Sequence, residues 1–124
     1  MAQDKKTETA KTNPEVTLQV MAHLERNPKD SQRTIASELN ISLGSVNYCL
    51  KALIDKGFVK AENFRKSPNK FGYSYLLTPS GISEKASLTV AFLKRKQMEY
   101  NRLEQEIAAL RAEVAKLDSE GDAP

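Results

Sequence analysis

The chain has 124 residues, 40% of them hydrophobic, with 19 Lys and Arg against 16 Asp and Glu for a formal charge of +3. That length supports one modest core, not a two-lobed enzyme with a cleft between domains. A single cysteine, Cys49, and a single histidine, His23, exclude an intramolecular disulfide, a cysteine metal cage and a multi-histidine metal site.

Residues 1–13 contain no Leu, Ile, Val or aromatic side chain, so they read as a disordered lead. They also lack the apolar core of a signal peptide, and no apolar run nears the ~20 residues of a membrane span, so a soluble cytoplasmic chain with no membrane association is expected. From Pro14, Leu18, Met21 and Leu24 recur at helical spacing until Asn27-Pro28 stops the run, which gives a first helix. Ser31 then caps a short second helix, Gln32 to Leu39, with Ile35, Ala36 and Leu39 facing inward. Ser42 caps a third helix from Leu43 to Lys56, closed by Gly57. Two helices joined by about three residues form a helix-turn-helix pattern. Phe58 to Arg65 and Gly72 to Leu77 read as strands flanking a basic, turn-rich link, Lys66 to Phe71. A helix-turn-helix followed by a basic hairpin is the winged-helix plan, mainly α with a small β wing.

After Thr78 and Pro79 no proline recurs until Pro124, and the run reads as one long helix. Leu103, Ile107, Leu110, Val114 and Leu117 follow a four-three spacing, and the register extends back through Tyr100 and Leu93, with Lys96 and Thr89 intruding. β-Branched residues at a and Leu at d suit a two-stranded parallel coiled coil, so these seven apolar residues are the candidate homodimer seam. Across such a seam Glu106 meets Arg111, but Glu99 meets Glu104 and Glu113 meets Asp118, which leaves the strand orientation open. An amphipathic helix packed on its own domain is the alternative. The expected domains are a DNA-binding unit over 14–78, a dimerisation helix over 79–118 and a disordered tail over 119–124.

Charge is unevenly spread. Residues 31–75 hold seven basic and three acidic side chains, whereas residues 99–124 hold three basic and seven acidic ones. On the third helix Val46, Cys49, Leu50, Leu53 and Ile54 share one face, and Gly44, Asn47, Tyr48 and Lys51 share the other, with Ser45 beside them. Base edges in a major groove are read by such polar side chains; Asn pairs two-fold with adenine and Lys reaches guanine. The helix start at Ser42 offers backbone N–H groups to a phosphate. Arg65, Lys66, Asn69 and Lys70 at the hairpin tip and Arg33 at the start of the second helix fit phosphate or minor-groove contacts. Lys94, Arg95 and Lys96 fit a solvated face. Cys49, among Val46, Leu50 and Leu53, fits a small buried hydrophobe. No Gly-rich phosphate loop, HExxH or GxSxG pattern occurs, so no catalytic residue, cofactor or metal is expected.

The stretches SLGSVNYCLKALIDKGFVKAENF and NKFGYSYLLTPSGISEKASLTVAFLKRK resemble the MarR-type winged-helix regulators that accompany bacterial exopolysaccharide gene clusters. The resemblance covers roughly residues 15–100. It implies a bacterial, cytoplasmic transcription regulator of exopolysaccharide synthesis or export genes. The reading role carries over to Ser45, Asn47, Tyr48 and Lys51, and the wing role to Arg65, Lys66 and Lys70. The chain departs from larger MarR regulators in having little helix before Pro14 and a single C-terminal helix, so their small-molecule pocket is not carried over and an effector stays unassigned. The expected partners are a second copy of the chain and a pseudo-palindromic DNA operator; the competing reading is a winged-helix adaptor that binds protein.

Overall fold

The computed structural model describes residues 13–68 and 70–121. Among the described residues, four helices and one hairpin follow in the order α1 (Pro14–Arg26), α2 (Gln32–Leu39), α3 (Leu43–Asp55), β1 (Val59–Ser67), β2 (Lys70–Leu77) and α4 (Pro79–Gly121). The expected lead through residue 12 and the last three residues lie outside the described residues. Among the described residues, no helix is long and apolar enough to cross a membrane.

Short-range chemistry sets the helix limits. The Asn13 side chain accepts the N–H of Glu15 at 2.7 Å and so caps α1, with Pro14 at the first position where a missing N–H costs nothing. Ser31 and Ser42 cap α2 and α3 by accepting the N–H groups of Thr34 and Ser45. Both helices end in a left-handed residue. Asn40 (φ 55°) sends its N–H to Ser37 O while Ile41 reaches Ala36 O. Gly57 (φ 78°) sends its N–H to Ile54 O while Phe58 reaches Leu53 O. This double bond pattern satisfies the last carbonyls and turns the chain sharply.

The chain divides into two compact units, one ending at Thr89 and the next beginning at Val90. In the first, Val20, Met21 and Leu24 of α1, Ile35 and Ala36 of α2, and Val46, Cys49, Leu50 and Leu53 of α3 close a core that Val59 and Tyr75 complete from the hairpin. Burying a side chain such as Met21, Leu24, Ile35 or Leu50 contributes on the order of 1.5–3 kcal/mol. Leu88, ten positions into α4, packs against this core, so the first turns of the long helix belong to the winged unit. Ile54, expected on the core face, is 37% exposed; it stands at the margin of the buried stripe, one residue before the helix ends.

The hairpin is antiparallel and longer than the sequence suggests. Arg65 pairs with Phe71 and Ser67 with Lys70, with a register irregularity between Arg65 and Ser67. The basic link therefore continues the ladder, and only Pro68 and position 69 connect the strands. Polar residues suit this ribbon because two strands beyond the core are solvated.

Thr78 fastens α4 to the end of α3. Its hydroxyl donates to Gly57 O at 2.6 Å and accepts the N–H of Gly81, and its own N–H donates to Phe58 O. Ser80 donates a second hydroxyl bond to Gly57 O. A Cβ on Gly81 would stand 2.0 Å from Phe58 O, so only glycine permits this approach.

Among its described residues the second unit is helix alone. Lys96 pairs with Glu99 at 3.5 Å and lies over the Phe92 ring. Leu93, Tyr100, Leu103, Ile107, Leu110, Val114 and Leu117 are all exposed on the single chain. The helix continues to Gly121, three residues past the limit expected from the sequence.

Candidate nucleic-acid interface

The third helix has two distinct faces. Val46, Cys49, Leu50 and Leu53 are buried, while Gly44, Asn47 and Lys51 are exposed and Ser45 and Tyr48 are half-buried. Rigid packing on one side fixes the direction of the other. Ser42 is occupied as the cap: its Oγ accepts the Ser45 N–H at 3.0 Å and donates to Ser45 Oγ at 2.9 Å. The remaining first-turn N–H groups and the open space around Gly44, whose nearest neighbour to an added Cβ is Ser42 Oγ at 4.0 Å, leave room for close approach of a ligand backbone.

Asn47 does not stand alone. Its Nδ2 donates to Gln32 Oε1 at 3.2 Å, and Gln32 Nε2 donates to Tyr75 Oη at 3.2 Å. Tyr75 is 7% exposed and its backbone N–H donates to Pro28 O at 2.8 Å, which joins the wing to the α1–α2 turn. Tyr73, two residues away on the same strand face, stacks on it at 6.2 Å and is 57% exposed. Lys29 lies over the Phe64 ring at 5.3 Å. Gln32, Tyr73 and Lys29 join this candidate surface and were not singled out from the sequence; the alternation Tyr73-x-Tyr75 was the available signal for the aromatic pair. Arg33 at the start of α2 and Arg65 and Lys70 on the wing are exposed. Asn69 and the side chain of Lys66 lie outside the described residues.

The two special residues of the core have structural roles. His23 is 3% exposed and its Nε2 meets Asp30 Oδ2 at 2.8 Å, closing the α1–α2 turn. Burial pushes the Cys49 thiol up, with a hydrogen bond to Thr17 and the charge of Lys56 acting in the opposite direction. A cavity of about 140 Å³ borders Cys49 between α1, α3 and the early turns of α4, walled by Pro14, Leu53, Phe58 and Leu88. Among the described residues, no group of three His, Cys, Asp or Glu side chains is placed to hold a metal ion.

Helix-turn-helix, basic hairpin and following helix together define a winged helix-turn-helix protein. A family model described as winged helix-turn-helix DNA-binding matches residues 14–60. The fold is similar to that of the PcaV transcriptional regulator from Streptomyces coelicolor, solved with its natural ligand (TM-score 0.62, 15% identity, covering 86% of this chain and 74% of that one). It is also similar to the S. aureus MepR–DNA complex (0.59, 24% identity, 86% and 76%) and to a MarR transcriptional regulator from Methanosarcina mazei Go1 (0.57, 17% identity, 85% and 75%). At these identities the likeness is one of fold. No protein of curated function matches the chain.

Proposed function

We propose that this chain is a MarR-type, sequence-specific DNA-binding transcription regulator, not an enzyme, and that it works as a homodimer. The observation that carries the reading is the division of α3: an apolar side locked in the core and a side of Gly44, Asn47 and Lys51 left exposed next to a basic hairpin. A helix presenting Asn and Lys in this way can pair with adenine and guanine edges in a major groove. Ser45 and Tyr48 flank the reading side chains, and Ser42 sets the helix start against a phosphate. Arg33, Arg65, Lys66, Asn69 and Lys70 are assigned to phosphates or the adjoining minor groove, where they hold register and carry little sequence information.

The exposed apolar seam of α4, from Leu93 to Leu117, is assigned to pairing with a second copy. Residues 14–78 then act as the DNA-binding domain and 79–118 as the dimerisation helix. Two-fold symmetry gives a pseudo-palindromic operator with half-sites about one helical turn, ~10 bp, or a multiple apart. The MepR structure is a complex with DNA, and that likeness of fold supports the assignment. Control of exopolysaccharide genes in a bacterial cytoplasm rests on the resemblance of the third helix, wing and LTPSGI segment to that group of regulators.

The test is selection of duplexes from a randomised library by the full chain, followed by binding measurements on variants. Asn47→Ala is expected to flatten discrimination at one base pair per half-site. Lys70→Ala is expected to weaken all duplexes alike and lower the salt slope by about one. Equal, sequence-independent losses in both variants would refute the division between reading helix and wing. Weak binding to every duplex with a shallow salt dependence would favour a protein-binding adaptor.

A further inference from the structure

We infer that Gln32, backed by Tyr75, is a positioning residue that sets the orientation of the Asn47 carboxamide and with it the base preference of the recognition helix. The inference rests on the DNA-reading function proposed above. A carboxamide offers two N–H donors and one carbonyl acceptor. One Asn47 N–H is held by Gln32 Oε1 at 3.2 Å, which leaves the second N–H and Oδ1. That remaining donor and acceptor are the pair that adenine matches with N7 and its N6 amino group.

Gln32 is itself held end-on. Its Nε2 donates to the Tyr75 hydroxyl at 3.2 Å while its Oε1 accepts from Asn47, so the carboxamide spans the two side chains. Tyr75 is buried in the core and tied to Pro28 by a backbone bond, so the relay ends on a fixed point. Residues from α2, α3 and β2 thus hold an exposed side chain in one orientation before any ligand arrives. Without the relay Asn47 must be ordered on binding, and the alternative amide orientation, which offers a mismatched edge, becomes accessible.

The test uses the full chain and a duplex enriched from a randomised library, with single-base variants of it, measured by fluorescence anisotropy. Asn47→Ala identifies the base pair read by that side chain, with a loss of discrimination of roughly tenfold or more. Gln32→Ala is expected to lose about three- to tenfold at that same base pair and little at others. Tyr75→Phe, which keeps the buried ring and removes only the hydroxyl, shifts the same position in the same direction by less. Gln32→Glu keeps the acceptor for Asn47, so the base preference survives while the added negative charge weakens every duplex. In the Asn47→Ala background, Gln32→Ala produces no further loss of discrimination.

Uniform loss in Gln32→Ala, loss at a different base pair, or additive effects in the double variant would overturn the inference and leave the DNA-reading function standing. A library from which the full chain enriches no motif would overturn both. Thermal unfolding of each variant at equal protein concentration separates these outcomes from misfolding.

Discussion

Replacing Gly81 with alanine sets two physical effects against each other, and the structure decides the sign. Helix propensity alone favours Ala over Gly by about 1 kcal/mol in a helix interior, and less in a first turn. The added Cβ, however, would stand 2.0 Å from Phe58 O and 2.9 Å from its carbonyl carbon. Those are backbone atoms, so no rotamer change relieves the contact. The start of α4 must move away by about an ångström, and the bonds from Thr78 and Ser80 to Gly57 O and from Thr78 N–H to Phe58 O lengthen with it. Overpacking of this kind costs roughly 1–3 kcal/mol, and each weakened hydrogen bond about 1 kcal/mol. The net expectation is a destabilisation of about 2–4 kcal/mol, or a midpoint lower by roughly 10–25 °C for a domain of this size. Thermal unfolding followed by circular dichroism on the full chain, at matched protein concentration, measures it. A midpoint equal to or above that of the parent would refute the close approach of α4 to the α3–β1 corner.

Gly44→Ala makes the opposite expectation, because its surroundings are open: stability rises by up to ~1 kcal/mol, while affinity for a selected duplex falls as the Cβ obstructs close approach; both are read from one preparation by melting and anisotropy. Asp30→Ala strips the partner from the buried His23 Nε2 and should cost about 1–3 kcal/mol in urea unfolding, whereas Lys60→Ala, which removes only the exposed pair with Glu62, should change it by less than ~0.5 kcal/mol. For Cys49 the raised thiol pKa means the folded state keeps its proton while the unfolded chain loses it, so stability should decline as pH rises through the ordinary thiol range; native iodoacetamide labelling should be far slower than labelling in urea, and equal rates would contradict the burial. Truncation after Met98 removes most of the apolar seam and should shift sedimentation toward monomer and weaken operator binding; a truncated chain that stays dimeric would remove the seam from its assigned role.

How far the fold was legible in the sequence depended on how local its determinants are. Ser31, Ser42, Asn40 and Gly57 act within a few residues of themselves, and the helices begin and end where those residues put them. The wing was underestimated because Lys66 to Phe71 reads as a loop by composition, yet a solvated two-stranded ribbon accepts Lys and Ser, and pairing persists to Ser67 and Lys70. The burial of His23 depends on a partner seven residues later, Asp30, whose carboxylate lets an imidazole be buried. The relay from Asn47 through Gln32 to Tyr75 was invisible for a different reason. Its members are 15 and 43 residues apart, and the packing of the second helix on the third and the docking of β2 on the α1–α2 turn bring them together. The exposed polar face of α3, by contrast, was set by helical spacing alone, since burying Val46, Cys49, Leu50 and Leu53 necessarily turns Gly44, Asn47 and Lys51 outward.

Sequence-specific DNA reading by this winged helix is tested most directly by anisotropy of the full chain on a labelled duplex from upstream of its own gene and on a scrambled duplex of the same composition, each at two salt concentrations. A preference for the native duplex of ~10³ or more is expected, with binding to both weakening steeply as salt rises. Equal, weak binding to the two duplexes would contradict it.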